Sequence, residues 1–400
     1  MDRQQSDLIQ QVLERITPSQ KDRKSIQKAL DKFITQVTQE LSLYEIQPTI
    51  TLVGSIAKDT YLKNTLDLDV FLLFSPDIPK DTIASMTLSI GRKLLTDSEE
   101  CYAEHPYIRG MFQSFKFELV PGYKITDASQ KVSAVDRTPL HTTYVIDHLS
   151  EKQKNDVRLL KQFLHGIHCY GAEAETQGFS GYLCEILIIK FKTFHDLLQA
   201  SKKWKSKIIL SLNDKPIPSF PEPFVFIDPV DPERNVASAV AIETLNRYIL
   251  ACGSYLDKPK LSFFFPNEIK PWSIQHIKKE IESSNKQYIG IIFEKPDLID
   301  ENLYPQLRRA CKVISNESKN EDFEIDNAVF YVDKKNNKVY IIITTKNELL
   351  SETKVHMGPP VQLKNHINKF NSKWDQHEKV VKQPFEKKPS FSGQRSFYAG

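Results

Sequence analysis

Asp67 and Asp69 stand one residue apart in Leu66-Asp67-Leu68-Asp69-Val70, and the spacing decides where their carboxylates go. Side chains alternate along a strand, so both acids project from one face while Leu66, Leu68 and Val70 project from the other. Two carboxylates side by side repel, and at the mouth of an apolar strand they need a cation; hard oxygen ligands close to phosphate point to Mg²⁺. A third carboxylate is offered by Phe115-Lys116-Phe117-Glu118-Leu119-Val120-Pro121, where Phe115, Phe117 and Leu119 share one face and Glu118 takes the opposite one. Carboxylates on adjacent strands can hold two Mg²⁺ about 3.5–4 Å apart, the arrangement used for in-line phosphoryl transfer. Upstream, the short apolar strand Thr51–Val53 runs into Gly54-Ser55. The glycine lets backbone approach a ligand, and the serine hydroxyl can bind a phosphate oxygen.

These residues need elements to position them. Leu8, Ile9, Val12, Leu13 and Ile16 recur at helical spacing. After Pro18-Ser19 a second helix is predicted to about Leu43, with Ile26, Leu30, Phe33, Ile34, Val37 and Leu41 as its buried stripe. Both helices are expected to back the catalytic sheet. A further helix over Asp81–Leu95, capped by Asp81, leads through a linking stretch to the Glu118 strand.

From Lys154 the pattern changes to long helices. Val157, Leu159, Leu160, Phe163, Leu164 and Ile167 form one apolar face, and the run Ile186–Ile189 is bracketed by Glu185 and Lys190, so it belongs to a core. Glu185 and Tyr182 are expected to be structural. A Pro-rich connection, Pro216 to Pro232, should be a stiff loop before a helix over Val236–Leu256. After Pro259 come a helix (Ile274–Ile281), a strand (Tyr288–Phe293), a helix (Leu303–Val313, with Pro305 in its first turn) and a hairpin joining Val329–Val332 to Val339–Thr344. The expected class is α+β. Residues 1–150 form a catalytic domain with a mixed sheet backed by helices, 151–258 a central helical domain, and 259–400 an α+β module of the kind many RNA-binding domains use. In the tail, Lys382, Lys387, Lys388 and Arg395 interleave with Phe385, Phe391, Phe397 and Tyr398; this suits a solvated disordered tail or an RNA contact.

Composition sets the outer limits. With 40% hydrophobic and 26% charged residues the chain is globular, and a net charge of +3 confines any nucleic-acid face to a local basic surface. The five cysteines contain no Cys-x-x-Cys pair, which argues against a zinc site or disulfide framework and for reduced thiols in a cytosol. Met1–Leu13 lacks the apolar region of a secretory signal, and no segment approaches eighteen consecutive apolar residues. A cytoplasmic protein with no membrane partner is expected.

Gly54-Ser55, a spacer, and Asp67-Leu68-Asp69-Val70 together resemble the nucleotidyltransferase signature of the polymerase β superfamily. Further strings resemble the archaeal-type, class I tRNA nucleotidyltransferases, the CCA-adding enzymes. They are Arg137-Thr138-Pro139-Leu140-His141-Thr142, Val157-Arg158-Leu159-Leu160-Lys161 with Tyr170-Gly171-Ala172-Glu173, Gly178-Phe179-Ser180-Gly181-Tyr182-Leu183-Cys184-Glu185, and Asp228-Pro229-Val230-Asp231-Pro232-Glu233-Arg234-Asn235-Val236-Ala237. Tyr304-Pro305-Gln306-Leu307 and Gly358-Pro359-Pro360-Val361 are similar to the family's C-terminal half. The order of the strings covers nearly the whole chain.

That resemblance implies template-independent addition of CCA to the 3′ end of tRNA from CTP and ATP, with release of pyrophosphate. It implies that Ser55 and Lys58 bind the triphosphate, Asp67, Asp69 and Glu118 two Mg²⁺ ions, and His141, Lys161 and Tyr170 the phosphates and sugar. Arg234, in the Pro-stiffened loop, would read the base: C and A both present a ring-nitrogen acceptor beside an amino donor, and G and U do not. A homodimer is admitted. The sequence departs from the family in carrying Lys58 for Arg, Glu118 for Asp, and an end at Gly400, earlier than in many relatives. Two other readings remain open here, a different terminal transferase such as a poly(A) polymerase and a catalytically silent tRNA-binding protein.

Overall fold

A computed structural model describes residues 3–63, 67–102, 106–213, 218–321, 323–346, 355–360, 362–374, 381–384 and 395–399. Leu66, Pro216, Val361, Phe385, Lys387, Lys388 and Phe391, all used above, lie outside the described residues. The chain divides into two compact units, Met1–Ile269 and Lys270–Gly400.

The first unit opens with α1 (Arg3–Ile16) and α2 (Gln20–Leu41). Ser19 starts α2 through a reciprocal cap, its Oγ accepting from the Asp22 N–H at 3.2 Å while its own N–H donates to Asp22 Oδ2 at 2.8 Å. The strands β1 (Thr49–Leu52), β2 (Asp67–Phe74), β3 (Thr96–Tyr102), β4 (Pro106–Phe112) and β5 (Phe115–Tyr123) form one sheet in the order β1-β2-β5-β4-β3. Only β2 and β5 in it run parallel. A single turn, α3 (Gly54–Ala57), lies between β1 and β2, and α4 (Lys80–Leu94) carries the chain away from β2.

Leu68, Val70, Leu72, Phe117 and Leu119 from the sheet share a core with Phe33 and Val37 of α2 and Ile83 and Ile90 of α4. Phe33 meets Phe117 with ring centroids 4.3 Å apart. One face of β2 and β5 is therefore fixed against helices. Alternation sends Asp67, Asp69 and Glu118 to the other, where Phe71, Leu73 and Val120 form a small cluster with Val53.

Three expectations about this sheet and its helices are corrected. The helix α1 does not back this sheet: Val12 and Ile16 sit in the helical core described next. Asp81 lies inside the first turn of α4, with Pro79 at the cap position and no side-chain cap bond. The stretch before the Glu118 strand is not a linker but β3 and β4, whose outer strand is polar and largely exposed and so lacks an apolar alternation.

The helical core joins α1 to α5 (Arg137–His148), α6 (Glu151–Gly166), α7 (Gly181–Phe191), α8 (Phe194–Ser201) and α9 (Ile242–Asp257). A short parallel pair joins β6 (Ile208–Leu210), ahead of the expected Pro-rich connection, to β7 (Phe224–Phe226) within it. The helix expected from Val236 begins only at Ile242. Before it the chain binds β7 instead: Val236 N–H donates to Phe226 O at 2.8 Å, and Asn235 Oδ1 accepts from the N–H groups of Phe226 and Ala237, each at 2.9 Å.

The second unit contains α10 (Ile274–Ser283), β8 (Gln287–Glu294), α11 (Asp300–Asn320), β9 (Ile325–Asp333) and β10 (Lys338–Thr345). Its antiparallel sheet runs β8-β10-β9. Leu303, Leu307 and Cys311 of α11 pack against Val339, Ile341 and Ile343. Because α11 begins at Asp300, Pro305 lies past the first turn. β11 (Val355–Pro360), α12 (Lys364–Trp374), β12 (Val381–Pro384) and β13 (Arg395–Ala399) follow, with the strands ordered β11-β13-β12. Lys382, Arg395, Phe397 and Tyr398 therefore lie on paired strands. No helix among the described residues is long and apolar enough to cross a membrane.

Candidate active site

The parallel register sets Asp67 opposite Lys116 and Asp69 opposite Glu118. Lys116 Nζ reaches Asp67 Oδ1 at 3.1 Å. Asp69 has no such partner among the described residues. Burial pushes its carboxyl up to about 7, and repulsion from Glu118 and Asp67 adds to the rise. Burial pushes Glu118 up as well.

Gly54 lies against this carboxylate. Its φ of +73° falls in the left-handed region, and a Cβ there would stand 1.9 Å from Asp69 Oδ2. Glycine is therefore required for the backbone turn and for the space that Asp69 occupies.

Among the described residues no three His, Cys, Asp or Glu side chains are gathered closely enough to hold an ion. The donors that β2 and β5 offer are all carboxylate oxygens, with one carboxyl held at a raised pKa, a chemistry that suits a hard divalent cation.

Asp67, Asp69 and Glu118 line a cavity of about 240 Å³ together with Ser55, Lys161 and Tyr170. Tyr61, Leu62 and His165 complete it and were not singled out in the sequence. Burial raises the Tyr170 hydroxyl well above its ordinary value, so it stays protonated as a donor. Its ring lies 4.2 Å from that of His165, centroid to centroid. A Cβ on Gly181 would stand 3.2 Å from Tyr170 Oη and 3.6 Å from Lys161 Nζ, so the first residue of α7 packs directly on both groups.

Lys58 is neither solvated nor part of that lining. Its ammonium lies 2.5 Å from Glu185 Oε2, with the lysine side chain 8% exposed and the glutamate fully buried. Thr60 Oγ1 donates to Glu185 Oε1 at 2.5 Å. Lys161 Nζ donates to Thr60 O at 3.1 Å and Thr60 Oγ1 at 3.2 Å, and stands 3.5 Å from Glu185 Oε1. Burial alone would push the Glu185 carboxyl up, but Lys58 and Lys161 outweigh it and hold the carboxyl below its ordinary range. Sequence reading assigns Glu185 to structure, yet two of the expected phosphate ligands converge on it.

His141 and Arg234 meet at a second buried acid, Asp228. Asp228 Oδ2 accepts from His141 Nε2 at 2.8 Å and Arg234 Nη1 at 2.9 Å, while Oδ1 accepts from Tyr182 Oη at 3.1 Å and the Val230 N–H at 3.1 Å. The His141 ring stacks on Tyr182 with centroids 4.0 Å apart. Burial lowers the His141 pKa, against the pull of Asp228, and favours the neutral ring. Lys58 Nζ lies 6.0 Å from the Tyr182 ring centre, so this cluster adjoins the Glu185 cluster. Arg234 keeps partial exposure and four of its five N–H donors outside this bond.

The chain matches known families along most of its length. Residues 30–141 match the nucleotidyltransferase domain, 155–265 the second domain of tRNA nucleotidyltransferase, and 285–391 the C-terminal domain of CCA-adding enzyme. It is 36% identical over 365 residues to the CCA-adding enzyme of Thermoplasma acidophilum, covering 91% of this chain and 81% of the relative. The chain belongs to the CCA-adding enzymes. It is therefore an enzyme, a tRNA nucleotidyltransferase that adds CCA. The CCA-adding enzymes of Picrophilus torridus and Methanosarcina acetivorans are 41% and 33% identical, covering 80% and 94% of this chain and 71% and 83% of those relatives.

Among solved structures, one of the RNA terminal uridylyl transferase Cid1 superposes with a TM-score of 0.52 at 13% identity, covering 68% of this chain and all of that one. That likeness concerns the fold. Proteins with the nucleotidyltransferase fold generally use divalent metal ions, in keeping with the acidic face of β2 and β5.

Proposed function

We propose that the cavity between the β2–β5 carboxylates and Lys161 is where the 3′ hydroxyl of tRNA attacks the α-phosphate of CTP, twice, and then of ATP. Asp67, Asp69 and Glu118 would hold two Mg²⁺ ions, which when bound supply charge neutralisation on the triphosphate and lower the pKa of the attacking hydroxyl. The carrying observation is Asp69. Its carboxylate is paired in register with Glu118, lies against Gly54 and makes no ion pair among the described residues, and burial with its two acidic neighbours outweighs the pull of Lys58 and Lys116.

The remaining roles follow from position. Ser55, at the turn beside Asp69, offers a hydroxyl to phosphate oxygen, and Lys161 and the protonated Tyr170 face the same cavity from the helical side. Lys58 adds positive charge from behind Lys161. Neutral His141 donates Nε2–H to Asp228 and keeps Nδ1 for a donor from the nucleotide.

Arg234, held at one nitrogen by Asp228, presents its other donors at a fixed angle. A fixed donor paired with a fixed acceptor suits C and A, and G or U would leave unpaired polar groups costing roughly 1–3 kcal/mol each. We assign residues 1–150 to catalysis, 151–258 to nucleotide recognition and 259–400 to tRNA binding, in a cytoplasmic enzyme that admits a homodimer.

The test is incorporation by the full chain into tRNA lacking its 3′ end, with Mg²⁺ and each labelled nucleotide in turn. Two C followed by one A is expected. A long A-tail, or no incorporation at all, overturns the proposal.

A further inference from the structure

Two cationic side chains buried near each other need an anion, because an unpaired buried ammonium is costly and like charges repel. Lys58 and Lys161 come from distant parts of the sequence, the turn after α3 and the middle of α6, and the anion between them is Glu185 on the first turns of α7. Its carboxylate is fully buried, so solvent cannot substitute for either partner.

The two contacts are unequal. Lys58 is bound at 2.5 Å, whereas Lys161 stands 3.5 Å away and is reached through Thr60. Thr60 gives its hydroxyl hydrogen to Glu185 Oε1 and so turns a lone pair toward Lys161 Nζ, which it meets at 3.2 Å. Of the three N–H donors on Lys161, two are taken by Thr60. The third faces a long contact to Glu185 and the cavity lined by Ser55, Asp67 and Asp69. That hydrogen is the one a phosphate oxygen can take without disturbing the rest.

We propose that Glu185 is a positioning residue for nucleotidyl transfer: through Thr60 it orients the Lys161 ammonium toward the triphosphate while Lys58 keeps the carboxylate anchored. This rests on the reading of the cavity as the triphosphate site. Glu185 is fully buried and does not line the cavity. Its effect passes through Lys161, and a displacement of about 1 Å at such a group can cost on the order of 100-fold in rate.

A double-mutant cycle in the full chain separates this from a general structural role. Single-turnover CTP incorporation into tRNA lacking its 3′ end is measured for wild type, Glu185→Gln, Lys161→Ala and the double variant, each normalised to folded protein. Glu185→Gln should lower the rate about tenfold or more in the wild-type background. In the Lys161→Ala background it should change the rate by less than about twofold, since the group it acts through is gone.

Equal losses in the two backgrounds, or no loss in the single variant, overturn the proposal. If Glu185→Gln does not fold, Thr60→Val cuts the same relay with little change of shape. Run through the same cycle, it should lower the rate in the wild-type background and leave it nearly unchanged beside Lys161→Ala; equal losses, or none, again overturn the proposal. Wild-type protein that incorporates neither C nor A would instead remove the functional reading, independently of Glu185.

Discussion

One wall of the cavity carries three carboxylates on β2 and β5, and the wall behind Lys161 carries two ammonium groups around Glu185. The first is unbalanced: Asp69 is held at about 7 by burial and by its acidic neighbours. The second is balanced, with Glu185 held below its ordinary range by two lysines and a threonine hydroxyl. Charge in the first wall lacks compensation within the protein, and charge in the second is paired within it. Substitutions that remove charge should therefore act in opposite directions on stability at the two walls.

The largest expected effect is on catalysis. Asp69→Asn should abolish nucleotide incorporation while leaving tRNA affinity nearly unchanged, which filter binding with tRNA lacking its 3′ end would check. Next is stability at the other wall. Glu185→Ala leaves two buried ammonium groups without their anion and should destabilise the protein by about 3–5 kcal/mol in denaturant titration. A loss below about 1 kcal/mol, the worth of an exposed ion pair, would mean that the lysines find other partners.

A smaller effect is expected where Asp228 holds Arg234. Arg234→Ala should erode the preference for CTP and ATP over UTP and GTP by roughly 1–3 kcal/mol per lost contact, read in competition assays. An unchanged order of preference would remove the base-reading role. The smallest concerns Gly181, where an added methyl meets Tyr170 Oη at 3.2 Å. Gly181→Ala should slow transfer several-fold as Tyr170 and Lys161 give way, with little change in melting temperature.

Much of the first wall is legible in the sequence because strand alternation is local: the face of Asp67 and Asp69, and that of Glu118, follow from their immediate neighbours. The contact between Gly54 and Asp69 is not, since it depends on how the turn after β1 folds onto β2. Glu185 is hidden for a related reason. In a helix buried on nearly every side it looks like a bracket to the apolar run, and its partners lie 24 to 127 residues away in the chain.

Likewise α1 has an apolar stripe that suits either the sheet or the helical core, and periodicity alone does not choose between them. The strands β3 and β4 escape notice because an exposed edge strand needs no apolar alternation.

The contrast between the walls is tested most directly by calorimetry of metal-free wild type and Asp69→Asn across pH. Folded Asp69 prefers its proton, so its favourable contribution is full below the ordinary value of 3.8 and is lost as the pH rises toward about 7. At pH 8 or so, above that range, Asp69→Asn should melt at or above the temperature of wild type, and Mg²⁺ should raise the wild-type transition more than the variant's. A variant that melts well below wild type at that pH without metal would contradict this, and would make Asp69 a structural acid.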